Sequence, residues 1–110
     1  MIEAQLQQNI IIWFRNNYQM HDKGLIFSVP NEATYKNKTF KATGMLVGVS
    51  DLIVVLYGKT IFIELKTLTG KQRDKQIKFQ KAIEILNQEY YLVRSLEQFK
   101  EIICSNQKPN

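Results

Sequence analysis

The chain has 110 residues, 45% of them apolar and 23% charged, with two prolines and five glycines. These proportions fit one globular domain and exclude two independent cores, low complexity and general disorder. Fifteen Lys and Arg against ten Asp and Glu leave +5, an excess suited to a polyanionic partner such as nucleic acid or an anionic membrane surface.

Cys104 is the only cysteine and His21 the only histidine, so one chain cannot assemble a disulfide, a Cys–Cys redox pair or a Cys/His zinc cluster. Any metal must be held by oxygen. The N-terminal apolar run follows Glu3 and glutamines, without the basic region and small-residue cleavage site of a signal peptide, and no apolar stretch reaches the roughly 20 residues of a membrane span. A cytoplasmic protein is expected.

In chain order, Ile2, Leu6, Ile10 and Trp13, with Phe14 beside them, predict an amphipathic helix over residues 2–18, ended by His21-Asp22-Lys23-Gly24. Leu25 to Val29 reads as a strand stopped by Pro30. From Asn31 to Gly48 the periodicity is lost, and Lys36, Lys38 and Lys41 come without an intervening acid, which predicts a basic loop. Leu52–Tyr57 and Thr60–Leu65 are two β-rich runs, and Gly58-Lys59 between them suits a two-residue hairpin turn. Gln76, Phe79, Ile83 and Leu86 predict a long helix over 73–89. Tyr90–Val93 reads as a last strand, Ser95 as the cap of a final helix through Ile103, and 104–110 as a polar tail. The order α-β-β-β-α-β-α describes a single mixed α/β domain over residues 1–103 in which the long helix crosses from the third strand to the fourth.

With Gly58-Lys59 as the turn, Tyr57 pairs with Thr60, Asp51 lies opposite Lys66, and Glu64 lies diagonal to Asp51. Side chains alternate along a strand, so Asp51, Glu64 and Lys66 share one face near an open end of the hairpin. The other face is wholly apolar: Leu52, Val54, Leu56, Ile61, Ile63 and Leu65. Two carboxylates converging on one point suit a hard divalent cation such as Mg²⁺, with the Leu65 carbonyl as a further oxygen ligand and Lys66 beside it to orient a water or stabilise a phosphate oxygen. The structural alternative is an Asp51–Lys66 ion pair with Glu64 as a solvated neighbour. Charge inside such apolar runs is costly unless paired or bound to metal, which favours the metal site. Gly48 leaves a bare backbone that would admit a ligand near Asp51, and Gln76 is a polar residue on the inward stripe of the long helix. Gly58-Lys59-Thr60 is not a P-loop, because Ile53 stands where that motif needs glycine.

The ordered set Gly44-Met45, Gly48-Val49-Ser50-Asp51, Ile63-Glu64-Leu65-Lys66-Thr67, Gln76 and Leu92-Val93-Arg94-Ser95 resembles the VRR-NUC branch of the PD-(D/E)-x-K nucleases, particularly small stand-alone phage-type members, over residues 2–103. Ser50 departs from the pattern, which usually has proline before the aspartate. The resemblance implies a restriction-endonuclease-like core with a mixed sheet of about four strands flanked by helices. It also implies Asp51 and Glu64 as metal ligands, Lys66 as the catalytic lysine, Gln76 as the glutamine after E-x-K, and Glu3 as a first-helix glutamate near the metal. Asn31-Glu32 also fits the pattern. The implied activity is Mg²⁺-dependent endonucleolytic cleavage of DNA, with Mn²⁺ able to substitute, on branched substrates such as four-way junctions, by a homodimer without membrane attachment. Sequence-specific or flap cleavage, and a non-catalytic nucleic-acid-binding module, are the alternatives.

The charge has a location. Residues 66–81 hold six Lys and Arg against Asp74 alone, a local excess equal to that of the whole chain. Lys71, Arg73 and Lys75 in this run and Lys36, Lys38 and Lys41 before Asp51 are the expected phosphate contacts; Arg94, after the last strand, is expected to contact phosphate or support the active site, with a salt bridge as the alternative. Trp13 and Phe14 are expected in the core rather than stacked on bases.

Overall fold

Helix α1 spans Glu3–Asn17, and its buried stripe Leu6, Ile10 and Phe14 faces the sheet. The computed structural model describes residues 2–30, 44 and 46–107. A short 3-10 turn, Gln19–His21, reverses the chain into β1 (Leu25–Ser28). There follow β2 (Leu52–Leu56), β3 (Lys59–Leu65), α2 (Asp74–Ile85), β4 (Glu89–Val93) and α3 (Leu96–Ser105). The expected basic loop over 31–48, with Lys36, Lys38, Lys41, Asn31 and Glu32, lies largely outside the described residues.

The described strands form one sheet in the order β1-β2-β3-β4. The first two pairings are antiparallel and β4 runs parallel to β3, as a helical crossover requires. One face carries the core: Leu52, Val54, Leu56, Ile61, Ile63, Leu65 and Val93 pack under Leu6, Ile10 and Phe14 of α1 and Phe99 and Ile103 of α3. Phe14 is buried, and Trp13 meets Phe99 edge to face at 6.0 Å, so both aromatics belong to this core, as expected. Ser95 caps α3, its hydroxyl accepting from the Gln98 amide at 3.1 Å. The opposite face carries α2, where Phe79 packs edge to face on Phe62 and also meets Tyr90.

Two sequence expectations are corrected. The hairpin turn is Tyr57-Gly58, not Gly58-Lys59: Leu56 pairs with Lys59 and Leu52 with Ile63. The positive φ of 68° falls on Gly58 as the second turn residue, where glycine is suited to it, and Lys59 is freed to pair with Glu89 of β4 at 2.7 Å. The shift is two positions, so every side chain keeps its face and only its partner changes. Helix α2 also ends at Ile85 rather than near 89. Asn87 takes a left-handed φ of 60°, while its amide reaches the Glu84 carbonyl and that of Gln88 the Ile83 carbonyl, both at 3.0 Å. That is a Schellman stop with asparagine in the position glycine usually fills.

Gly48 has a role that its sequence position did not reveal. Its φ is +88°, and a Cβ there would lie 2.3 Å from the Lys75 carbonyl oxygen. The bare backbone therefore admits the start of α2, not a ligand, and docks the segment leading to Asp51 against that helix. Gly48→Ala is expected to lower unfolding stability by at least about 2 kcal/mol in urea titration, because a left-handed conformation and a backbone clash coincide.

Candidate active site

The corrected register, continued one step past β2, places Asp51 opposite Glu64. The Asp51 backbone is held from one side by the residue after β1, its carbonyl accepting from the Val29 amide at 2.9 Å. Its carboxylate Oδ2 accepts from the Leu65 amide at 2.7 Å. In a strand a residue's N–H and C=O point to the same side, so the Leu65 carbonyl opens toward Asp51 as well. Ser50, in the position where the family pattern has proline, is fully buried, and its hydroxyl donates to the Leu52 carbonyl.

Glu64 is 1% exposed, and both of its carboxylate oxygens are held. Oε2 accepts from Gln76 Nε2 at 2.8 Å, and Oε1 accepts from the Tyr90 hydroxyl at 3.1 Å. Gln76 serves two structures at once, because its Oε1 accepts from the Arg73 amide at 2.8 Å and so closes the first turn of α2. Burial, reinforced by the Asp51 carboxylate beside it, pushes the Glu64 carboxyl up to about 8, against the opposing pull of the Tyr90 hydroxyl and the Lys66 charge. Burial also raises the Tyr90 hydroxyl, with the Glu64 charge adding to it, so it stays protonated and acts as a donor.

Lys66 is buried beside this pair, and its amide continues the parallel ladder to the Val93 carbonyl at 3.1 Å. The salt bridge found among the described residues is Lys59–Glu89, so the Asp51–Lys66 ion pair of the structural alternative is not formed. The result is an acid pair, Glu64 buried and Asp51 half-buried, beside a lysine that does not ion-pair with Asp51. A divalent cation fits this donor set by its chemistry: two carboxylates and one backbone carbonyl, all hard oxygen donors. Among the described residues no third acid or histidine completes a larger cluster.

Other expected site residues fall elsewhere. Glu3 is exposed in the first turn of α1, and no hydrogen bond or ion pair among the described residues joins it to Asp51, Glu64 or Lys66. Lys71, Arg73 and Lys75 are exposed on the approach to α2 and in its first turn, on the chain segment that supplies Gln76 to the acid pair. Arg94 holds backbone instead: its Nη1 donates to the carbonyls of Thr67, Leu68 and Gly70 at 2.6, 3.3 and 2.7 Å, pinning the turn that follows Lys66. Tyr90 and Gln72 were not anticipated. The signal for Tyr90 was the parallel crossover, which pairs it with Phe62 and so puts it on the Glu64 face of the sheet.

An aspartate just before one strand, E-x-K at the end of the next, and a crossover helix supplying a glutamine to the glutamate gather at one end of the sheet of a mixed α/β domain. No family model matches the sequence, and no curated relative does. Among solved structures, a "VRR_NUC domain protein" is similar with a TM-score of 0.73 at 16% identity, covering 94% of this chain and 85% of that one. A second, described as "VRR_NUC domain", is similar with a TM-score of 0.67 at 20% identity, covering 94% of this chain and 96% of the other. The chain has the fold of VRR_NUC domains, in agreement with the resemblance of its motifs. No helix among the described residues is long and apolar enough to cross a membrane.

Proposed function

We propose that the chain is a VRR-NUC-type nuclease: a Mg²⁺-dependent endonuclease, served also by Mn²⁺, that hydrolyses phosphodiesters of branched DNA such as four-way junctions, as a cytoplasmic homodimer. The observation that carries this reading is the pairing of the half-buried Asp51 with the buried Glu64, with buried Lys66 beside them and no Asp51–Lys66 ion pair. A structural pair would have neutralised itself. Asp51, Glu64 and the Leu65 carbonyl would hold the cation, which when bound supplies Lewis-acid stabilisation of charge on the scissile phosphate and acidifies a water. Lys66 orients the attacking water or stabilises a phosphate oxygen, in a site dry enough for a single charge to count. Gln76 keeps Glu64 aimed at Asp51, and the Arg94-pinned turn holds the chain after Lys66. Lys71, Arg73 and Lys75 grip phosphates flanking the scissile bond, joined by Lys36, Lys38 and Lys41. Two-fold pairing supplies both a longer binding surface and a second cut.

Labelled four-way junction, flap, single-stranded and linear duplex DNA incubated with the protein in Mg²⁺, Mn²⁺ or EDTA test this directly. Cleavage of branched substrates is expected with either metal, none in EDTA, and none by Glu64→Ala. Preferential cutting of flaps or of particular duplex sequences would replace the junction reading. Absence of any cleavage above the Glu64→Ala background would leave a nucleic-acid-binding module and overturn the nuclease.

A further inference from the structure

The Tyr90 hydroxyl stands at one end of a hydrogen-bonded chain that runs along α2. Gln72 Nε2 donates to Tyr90 Oη at 3.2 Å and to Gln80 Oε1 at 2.9 Å, and Gln80 Nε2 donates to Glu84 Oε2 at 3.3 Å. The polarity of this chain is forced from its far end. A carboxylate can only accept, so Gln80 must turn its amide nitrogen to Glu84 and its oxygen to Gln72. Gln72 must then present its nitrogen to both Gln80 and Tyr90. With a lone pair occupied by Gln72, the hydroxyl has its single proton left for Glu64 Oε1, 3.1 Å away.

Glu64 is thus gripped at both oxygens by donors on two different elements, Gln76 of α2 and Tyr90 of β4. A carboxylate held at one oxygen can still rotate about its last torsion, whereas one held at both cannot. Phe79, with its ring centroid 6.1 Å from that of Tyr90, fixes the ring that delivers the hydroxyl.

We propose that Tyr90, oriented by Gln72 and Gln80, is a positioning residue that fixes the Glu64 carboxylate for cation binding beside Asp51. The inference rests on the nuclease reading above. Partners that orient a metal ligand through its second oxygen change metal affinity by about 10–100-fold when removed.

The test is Mn²⁺ titrated into the full chain without nucleic acid, with free ion followed by electron paramagnetic resonance and thermal unfolding measured in parallel. Tyr90→Phe keeps the ring and deletes only the hydroxyl. It is expected to bind Mn²⁺ about tenfold more weakly, and Gln72→Leu to weaken binding in the same direction by less. Should Tyr90→Phe not fold, the Gln72→Leu comparison decides. Unchanged Mn²⁺ affinity in the folded variant, with or without a lower unfolding temperature, overturns the proposal and makes the hydroxyl purely structural. A wild-type chain that binds no Mn²⁺ overturns the positioning role and the metal site together. One that binds Mn²⁺ in a Tyr90-dependent way yet cleaves no DNA overturns the nuclease alone.

Discussion

Lys66→Ala is expected to bind a four-way DNA junction within about twofold of wild type while cleaving it on the order of 100-fold more slowly or worse. The separation follows from where the lysine lies. It is 5% exposed, on the face of the sheet that holds Asp51 and Glu64, whereas Lys71, Arg73 and Lys75 are exposed to solvent. Phosphate contacts that set binding come from the exposed set, and each contributes to affinity in proportion to the counterions it releases. A buried lysine that does not pair with Asp51 contributes little to encounter and much to charge appearing inside the site. Removing its stem also leaves a void, so Lys66→Met, which fills that space without the charge, is the control for packing loss. Cleavage rates under single-turnover conditions, beside junction affinity in EDTA by gel shift, check the result. Equal loss of binding and cutting in both variants would mark Lys66 as a structural residue.

The composition of the site was legible because strand alternation tolerates a register error of two. Placing the hairpin turn at Gly58-Lys59 instead of Tyr57-Gly58 put Asp51 opposite Lys66, yet left Asp51, Glu64 and Lys66 on their common face. What it concealed was the direct opposition of the two acids, and with it the reason that Glu64 holds its proton so tightly. Gln76 was legible for a similar reason, since a polar residue on an apolar helical stripe must have a buried partner. Tyr90 was not, because its neighbours depend on the parallel register of β4, which is set by where α2 stops. That stop rests on Asn87 adopting a left-handed conformation, a choice asparagine makes in some contexts and not in others. For Arg94 the sequence left phosphate contact, support of the active site and a salt bridge open, because a cation after a strand is compatible with many anions. Its partners are three backbone carbonyls whose convergence exists only once the 67–70 turn has formed. Gly48 looked like an opening for a ligand because sequence shows an absent side chain without showing what fills the space.

The acid pair also predicts how stability responds to pH. The Glu64 carboxyl titrates near 8 in the folded, metal-free chain against an ordinary value of 4.5, so between those two values the folded state binds more protons than the unfolded state. Stability must therefore fall as pH rises through that window, by up to about 1.4 kcal/mol per pH unit from this group, and then level off above pH 8. Glu64→Gln keeps a neutral, protonated-like group in place and removes the titration. Urea unfolding in EDTA across this range is expected to show wild type losing stability relative to Glu64→Gln with rising pH, by a total on the order of 4–5 kcal/mol. A constant difference between the two proteins would mean that Glu64 is already ionised and the pair is neutralised some other way. Adding Mg²⁺ should reverse the wild-type trend while leaving Glu64→Gln nearly unaffected. A cation held by Asp51 and Glu64 would displace that proton, so its affinity is expected to climb with pH up to about 8 and its stabilisation to grow where the metal-free chain is weakest. The pH that most destabilises the metal-free site is then the pH at which a cation is expected to bind there best.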